Sequence, residues 1–440
     1  MSQPTETTEA LEHKKTLIWL QRLKDESWEA ELLVSAIAIF GTFQLFALVE
    51  WVTNRYIELL PIEQYKYGYF IVFMGLLAVS ILVSMFVIHF FLRAYWIGLV
   101  GLNSVFPDYG LEDSAYSKIY TEKILGILPR QEETIQKVDE LCSVIFSAAF
   151  TILLIYAYLA VSMSIYMLIY NLLSDYVNAY VLLAPVALIG LLIVVQTIFG
   201  IVGNLKQFKN NVAIQTWLFK VVKLASMVTY GPLYKNLLQV SMVFGSNFKK
   251  KKSLVALILL FFVSGMCVAI VKVNDTNIFY LIQQDVHYAD QMHLSYYYDQ
   301  NPENSFLVTP QIQSDIIEGK TVKLFIPIFN NERNYQDKTC GEYVDDEQLD
   351  MVDNKILARK FYLDCYQKYH KVKVNGATVN VDFLKKNHQT SEQFGMVGFI
   401  DKELLQKGKN TIEVIKTLGD VKEYNWTIPF YFQPSSGISQ

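Results

Sequence analysis

The chain is 440 residues long, 52% hydrophobic and only 18% charged, with a net charge of −4 and a mean hydropathy of +0.25. A soluble globular protein is nearer a quarter charged, so this composition argues against a wholly soluble protein, and equally against a disordered, collagen-like or disulfide-dense chain. The near-neutral balance gives no electrostatic basis for binding nucleic acid.

The first residues, Ser2 to Glu9, are polar and acidic, unlike the basic start and short apolar run of a cleavable signal peptide. Residues 10–31 interleave Leu17, Ile18, Trp19, Leu20, Leu23 and Trp28 with Lys14, Lys15, Arg22 and Lys24. That pattern predicts an amphipathic N-terminal helix on the cytoplasmic membrane face. A helical membrane crossing needs roughly 20 mostly apolar residues. Five windows supply them, at 32–51, 69–92, 143–170, 180–202 and 254–272. Amides in lipid must be satisfied within the segment, so each window is predicted helical. The first doubles as an uncleaved insertion signal. Five spans cannot form two equal halves, and no internal repeat is visible.

Lysine and arginine set the orientation. Segments 1–31, 93–141 and 204–253 carry eighteen of them, whereas the opposite connections 52–68 and 171–179 carry only Arg55 and Lys66. The N-terminus is therefore expected in the cytoplasm, and after five spans the C-terminus lies outside. The run Lys249 to Lys252, directly before the fifth span, is the strongest single cue. Arg93 to Leu102 is expected to prolong the second span along the cytoplasmic headgroups until Asn103, Ser104 and Pro107 end it. Within the second cytoplasmic helical segment, Trp217, Leu218, Val221, Val222 and Leu224 surround Lys220 and Lys223 at helical spacing, and Gly231 with Pro232 breaks the pattern. A pair of amphipathic helices is expected there. The location predicted is a bacterial cytoplasmic (inner) membrane, with the C-terminal domain in the periplasm or outside the cell. In a eukaryotic membrane Asn274 and Asn425, each two residues before a threonine, would be glycosylation acceptors.

Beyond about residue 273 the chain turns polar and strand-like, with 17 Lys+Arg and 23 Asp+Glu in residues 273–440. That length supports an independent core. Residues 321–329 read as a strand. Asn375 and Gly376, between Lys371–Val374 and Ala377–Val381, supply the positive φ angles of a two-residue hairpin turn. A last hairpin joins residues 411–416 to 421–432 through Leu418, Gly419 and Asp420. On its second strand Tyr424, Trp426, Ile428 and Phe430 alternate with Asn425, Thr427 and Pro429, giving one buried face. Several short strands with turn signals predict an all-β sandwich outside the membrane. Val372, Val374, Asn375 and Gly376, followed by Gly398, Ile400, Asp401 and then Leu405, Gly408, Asn410, Ile412 and Val414, resemble the hairpin and strand motifs of galactose-binding-like jelly-roll domains. The resemblance covers only the segment 371–432. It implies a jelly-roll β-sandwich and admits a glycan ligand, although the loop residues that hold ligand in such modules are not identifiable here. The membrane part resembles no family.

Four cysteines occur. Cys142 and Cys267 fall at or within spans and are expected to act as small buried hydrophobes. Cys340 and Cys365 both fall in the outside domain, where an oxidising compartment favours a disulfide between them. The carboxylates Glu342, Asp345, Asp346, Glu347, Asp350 and Asp353 do not have EF-hand spacing and read as a solvated loop. His287 and His293, with Asp285 and Asp290 nearby, are six apart and so fall off one helix face. No nucleophile is paired with a base, and no catalytic residue, metal set or cofactor site is nominated. Inside the spans the polar candidates are His89 and Arg93, four apart on one helix face, and the pair Gln196 and Thr197. A histidine at that depth suits either a proton relay or a local cap. Ser80, Ser84, Gly200 and Gly203 are small enough for close helix packing. The function expected is a non-enzymatic membrane anchor or assembly subunit. Its partners are the lipid bilayer, a protein or a second copy of the chain, and a glycan at the sandwich. The alternative is a component of a channel or transporter.

Overall fold

Apolar runs without acidic interruption form helices here, and the helices end at identifiable breakers rather than where apolarity ends. A computed structural model describes residues 28–107, 116–174, 176–247, 251–282, 292–301, 305–418 and 422–434. Helix α1 (Trp28–Leu59) stops just before Pro61, and a 3-10 turn at Ile62–Gln64 leads into α2 (Tyr65–Val105). Helix α3 (Lys118–Leu125) is capped by the Ser117 side chain, which accepts the Tyr120 N–H. Helix α4 (Gln131–Leu173) begins two residues after Pro129. Asn178 and Asn211 cap α5 (Ala179–Asn204) and α6 (Val212–Tyr230), each supplying an acceptor to amides left over at the first turn. Gly231, at φ 50°, and Pro232 separate α6 from α7 (Tyr234–Asn247). Helix α8 (Lys251–Lys272) follows.

Among the described residues six helical stretches are long and apolar enough to cross a membrane, one more than the five expected. The addition is Val212–Val243, which combines α6 with most of α7. Its lysines suggested an amphipathic pair, but its apolar content reaches membrane level despite the break at Gly231. Several helices also overrun their expected windows, because a helical hydrogen-bond ladder is as competent in water as in lipid and continues until a breaker intervenes. Most of the predicted helix at 10–31 lies outside the described residues, and residues 28–31 belong to α1.

The chain divides into two compact units. The first comprises Met1–Leu48 and Met74–Val273, and the second Val49–Phe73 and Asn274–Gln440. In the first unit Leu82, Met85 and Phe86 of α2 pack with Ile145 and Ala149 of α4 and Phe261 of α8. Neighbouring helices press closely on two glycines, with backbone at Gly265 and with a side chain at Gly203. A Cβ at Gly265 would stand 2.8 Å from the Ile81 Cα, and one at Gly203 would stand 2.7 Å from Leu218 Cδ2. Gly200, also expected to pack, faces open space. Ser80 and Ser84 are buried, and the Ser84 hydroxyl donates to the Ser80 carbonyl.

The second unit carries nine strands among its described residues. These are β1 (Gln311–Ile312), β2 (Ile316–Ile317), β3 (Thr321–Pro327), β4 (His370–Val374), β5 (Ala377–Val379), β6 (Phe383–Asn387), β7 (Phe394–Asp401), β8 (Gly408–Leu418) and β9 (Lys422–Phe432). They form two sheets, ordered β1-β3-β7-β6 and β2-β9-β8-β4-β5, rather than a closed barrel. Every ladder is antiparallel except β2 with β9. Asn375 and Gly376, at φ 51° and 82°, make the expected turn between β4 and β5. The β8–β9 ladder pairs Gly408 with Phe432 through to Leu418 with Lys422, and its predicted turn at Gly419 and Asp420 lies outside the described residues. Tyr424, Trp426, Ile428, Phe430 and Phe432 are all buried, as their period of two requires. Val322, Leu324 and Ile326 of one sheet and Val372, Ile412 and Val414 of the other join a single core.

The expected all-β composition is corrected by two helices between β3 and β4. They are α9 (Arg333–Cys340) and α10 (Met351–Tyr369). Asp350 starts α10 by accepting the Val352 and Asp353 N–H groups, and Cys365, Tyr366 and Tyr369 turn one face to the core. The strand signal of the flanking residues hid this segment, whose leucine, alanine, arginine and lysine are good helix formers. The Cys340–Cys365 disulfide ties α9 to α10, with Cα atoms 5.9 Å apart.

Candidate functional site

The end of β3 delivers the chain to a short polar segment, Asn330 to Gln336, whose side chains do two jobs. The buried Asn331 amide nitrogen reaches the Ile57 carbonyl at 3.1 Å, the Leu60 carbonyl at 2.7 Å and the Tyr65 hydroxyl at 2.8 Å. The Tyr335 hydroxyl donates to Glu63 at 2.9 Å. These bonds satisfy carbonyls left open where α1 ends, and they build the α1–α2 turn into the two-sheet unit. Asn330 adds a 3.1 Å bond to Glu58.

Asn330, Glu332 and Gln336 line a cleft of about 750 Å³ on the same unit. Arg359, Tyr362 and Tyr366 of α10 form a second wall, and Lys385 of β6 a third, with Phe329 and Phe394 adding ring surface. The Lys385 ammonium lies 5.8 Å from the Tyr362 ring centre and 5.6 Å from that of Tyr366. Burial, and then the nearby Arg359 guanidinium, lowers its pKa below the ordinary lysine value. The acid in this cleft is already neutralised. Glu332 is buried, and its carboxylate accepts from the Lys416 ammonium at 2.5 Å, the Phe329 N–H at 2.9 Å and the Tyr369 hydroxyl at 3.1 Å. Among the described residues the Gln336 amide nitrogen is buried without a hydrogen-bond partner. The arrangement offers cations, an amide donor and aromatic faces. No nucleophile stands beside a base in it.

The intramembrane candidates are placed elsewhere, in the helical unit. The His89 ring nitrogen Nδ1 lies 2.8 Å from the Ser35 hydroxyl. Arg93 donates to Asp139 at 2.6 Å, with its guanidinium 4.4 Å from the Trp96 ring centre. Gln196 borders a largely apolar cavity of about 740 Å³, and neither His89 nor Thr197 lines it. The Thr197 hydroxyl donates to the Ile193 carbonyl of its own helix. These four residues therefore do not converge on one site. Cys142 is buried as expected, whereas Cys267 is exposed on α8.

Other sequence candidates serve local structure. His293 caps the 3-10 turn Leu294–Tyr296, and His287, Asp285 and Asp290 lie outside the described residues. Of the acidic cluster, Asp350 caps α10 and the Asp346 carboxylate accepts the Gln348 N–H. Among the described residues no group of three or more His, Cys, Asp or Glu could hold a metal ion. Asn375 and Asn410, the asparagines of the jelly-roll motif, bond to one another at 2.9 Å and fix the β4–β5 turn against β8. Sequence reasoning missed Arg359, Lys385, Gln336 and Glu332, which come from separate elements. A helical reading of 351–369 would have placed Arg359, Tyr362 and Tyr366 along one side of a helix. No family model, curated protein or solved structure matches the chain.

Proposed function

We propose that the chain is an integral membrane anchor or assembly subunit, non-enzymatic, whose extracytoplasmic two-sheet unit binds a protein or glycan partner. The observation that supports this reading is the Asn331 clamp, which builds the turn between α1 and α2 into the two-sheet unit. A simple tether would need only a linker, whereas here the ends of two membrane-length helices are part of the folded C-terminal unit. In this reading the chain crosses five times, α6 and α7 lie at the cytoplasmic surface although their combined length would allow a sixth crossing, and the C-terminal unit is outside. The lysine bias of the flanks and the disulfide both support this. The Lys220 ammonium lies 5.2 Å from the Trp217 ring centre, a pairing suited to an interfacial helix. A bacterial cytoplasmic membrane is the proposed location. The jelly-roll likeness stands as a proposal about architecture, and its asparagines serve a turn.

The test is in-cell crosslinking followed by purification of the full chain in mild detergent. A stoichiometric partner crosslinked through residues 274–440 is the expected result. A homogeneous assembly of this chain alone, with no glycan or protein attached, would overturn it. A transport role is the second reading and draws on the cavity beside Gln196, whose polar lining otherwise consists of Thr151, Ser226, Tyr230 and Ser241. Ion flux abolished by Gln196→Leu would favour it.

A further inference from the structure

The cleft between α9, α10 and β6 has the chemistry of an anion site. Arg359 and Lys385 are close enough for their charges to interact, and among the described residues neither makes an ion pair with a carboxylate. Two like charges facing one cleft raise each other's energy, and a bound anion relieves both. Glu332 does not compete, because Lys416 and Tyr369 already occupy its oxygens. The Gln336 nitrogen, buried and without a partner among the described residues, is a third donor at the same wall. Burying an amide without an acceptor costs free energy that a ligand oxygen would recover.

We propose that this cleft binds a phosphate-bearing headgroup of net negative charge, one without an ammonium of its own to add a third cation as choline would, with the phosphate between Arg359 and Lys385 and an oxygen on the Gln336 amide. Two cations and an amide match the several acceptor oxygens of a phosphate. The cleft volume of about 750 Å³ far exceeds that of a bare ion and suits a small organic group. Tyr362 and Phe394 give its carbon atoms apolar surface. The favoured source is a lipid headgroup, because Asn330 in the cleft wall bonds to Glu58 in the last turn of α1, a helix of membrane length. A soluble phosphate ester shares the chemistry and is distinguished by the test. The proposal rests on the two-sheet unit being a binding module.

The experiment follows acylation of Lys385 by an amine-reactive ester, quantified by peptide mass spectrometry on the full chain in nanodiscs. Lys368, exposed on α10, is the internal reference. Adding phosphatidylglycerol to phosphatidylcholine discs is expected to slow Lys385 acylation roughly tenfold, as a site about nine-tenths occupied requires. Lys368 should be unchanged, and the protection should vanish in Arg359→Gln, a change at an exposed position that leaves the core intact. Glycerol phosphate protecting Lys385 in pure phosphatidylcholine discs, where phosphatidylglycerol adds nothing, would assign the soluble source. Protection by neither probe, or protection that persists in Arg359→Gln, overturns the proposal. A partner still crosslinked through residues 274–440 in that case would leave the anchor reading standing, so the two can fail separately.

Discussion

Helix α5 and strand β9 are both rich in large apolar residues, yet they bury them differently. Along β9 the alternate side chains from Tyr424 to Phe432 are all buried. Along α5 only Gly203 is buried, while Leu183, Leu188, Leu191, Val194, Ile198 and Ile201 are exposed. The two-sheet unit has water outside, so apolarity there identifies the inward face. In the helical unit apolarity identifies the helix and leaves the face open, because lipid tails are as apolar as the interior. Glycines in close contact and a few polar pairs mark the faces instead.

The largest expected effect contrasts a buried charge pair in each unit. Glu332→Gln leaves Lys416 buried and uncompensated and should cost the two-sheet unit about 4 kcal/mol. Arg93→Met, in the helical unit, should cost only about 1 kcal/mol, because Asp139 remains partly exposed. Denaturant titration of the full chain, read by proteolysis within each unit, checks this, and equal losses would erase the contrast. Replacing both Cys340 and Cys365 by serine should cost about 3 kcal/mol, from the entropy of a loop with a 25-residue separation. Titrations of the double variant and of the reduced native chain should coincide.

Asn331→Ala strands the Leu60 carbonyl, while the Tyr65 hydroxyl still serves that of Ile57, and should cost about 2 kcal/mol. Hydrogen exchange at the α1–α2 turn should accelerate while β8 and β9 stay protected. In the helical unit size matters more than polarity. Gly265→Ala forces a Cβ against the Ile81 backbone and should cost about 2 kcal/mol. Gly190→Ala meets nothing and should be neutral or mildly stabilising. Thermal aggregation of the two variants in one detergent separates them.

The smallest effect is a slope. Burial, and then the Lys416 charge, holds the His370 pKa well below its ordinary 6.5, while the Tyr366 carbonyl partner of Nδ1 opposes the shift. The unfolded chain therefore takes up this proton first. The contribution is complete above about pH 6.5 and declines as pH falls below it, by about 1 kcal/mol per pH unit. His370→Gln should flatten that part of the stability profile of the two-sheet unit.

Much of the fold was legible because local chemistry dictates it. Asn375 and Gly376 announce their turn, the alternation from Tyr424 to Phe430 announces its strand, and two cysteines in the polar C-terminal segment announce their bridge. The helices inserted after β3 were not legible, since the apolar residues of α10 that meet the core are few and two of them are tyrosines. The cleft was hidden for a different reason. Arg359 and Lys385 are individually ordinary surface cations, and only the packing of α10 on β6 brings them together. The intramembrane candidates were chosen for polarity at depth, and the structure accounts for Arg93 and Thr197 as parts of local pairings.

The segment from Asn330 to Gln336 has a mechanical consequence. Residues 330, 332 and 336 face the cleft, while 331 and 335 grip the α1–α2 turn. Adjacent side chains on one short stretch of backbone thus border the cleft and bond to the α1–α2 turn. A displacement of that backbone pulls directly on the bonds at Leu60 and Glu63. The same seven residues thus serve two surfaces at once, and any substitution that shifts their backbone is felt at the cleft wall and at the α1–α2 turn together.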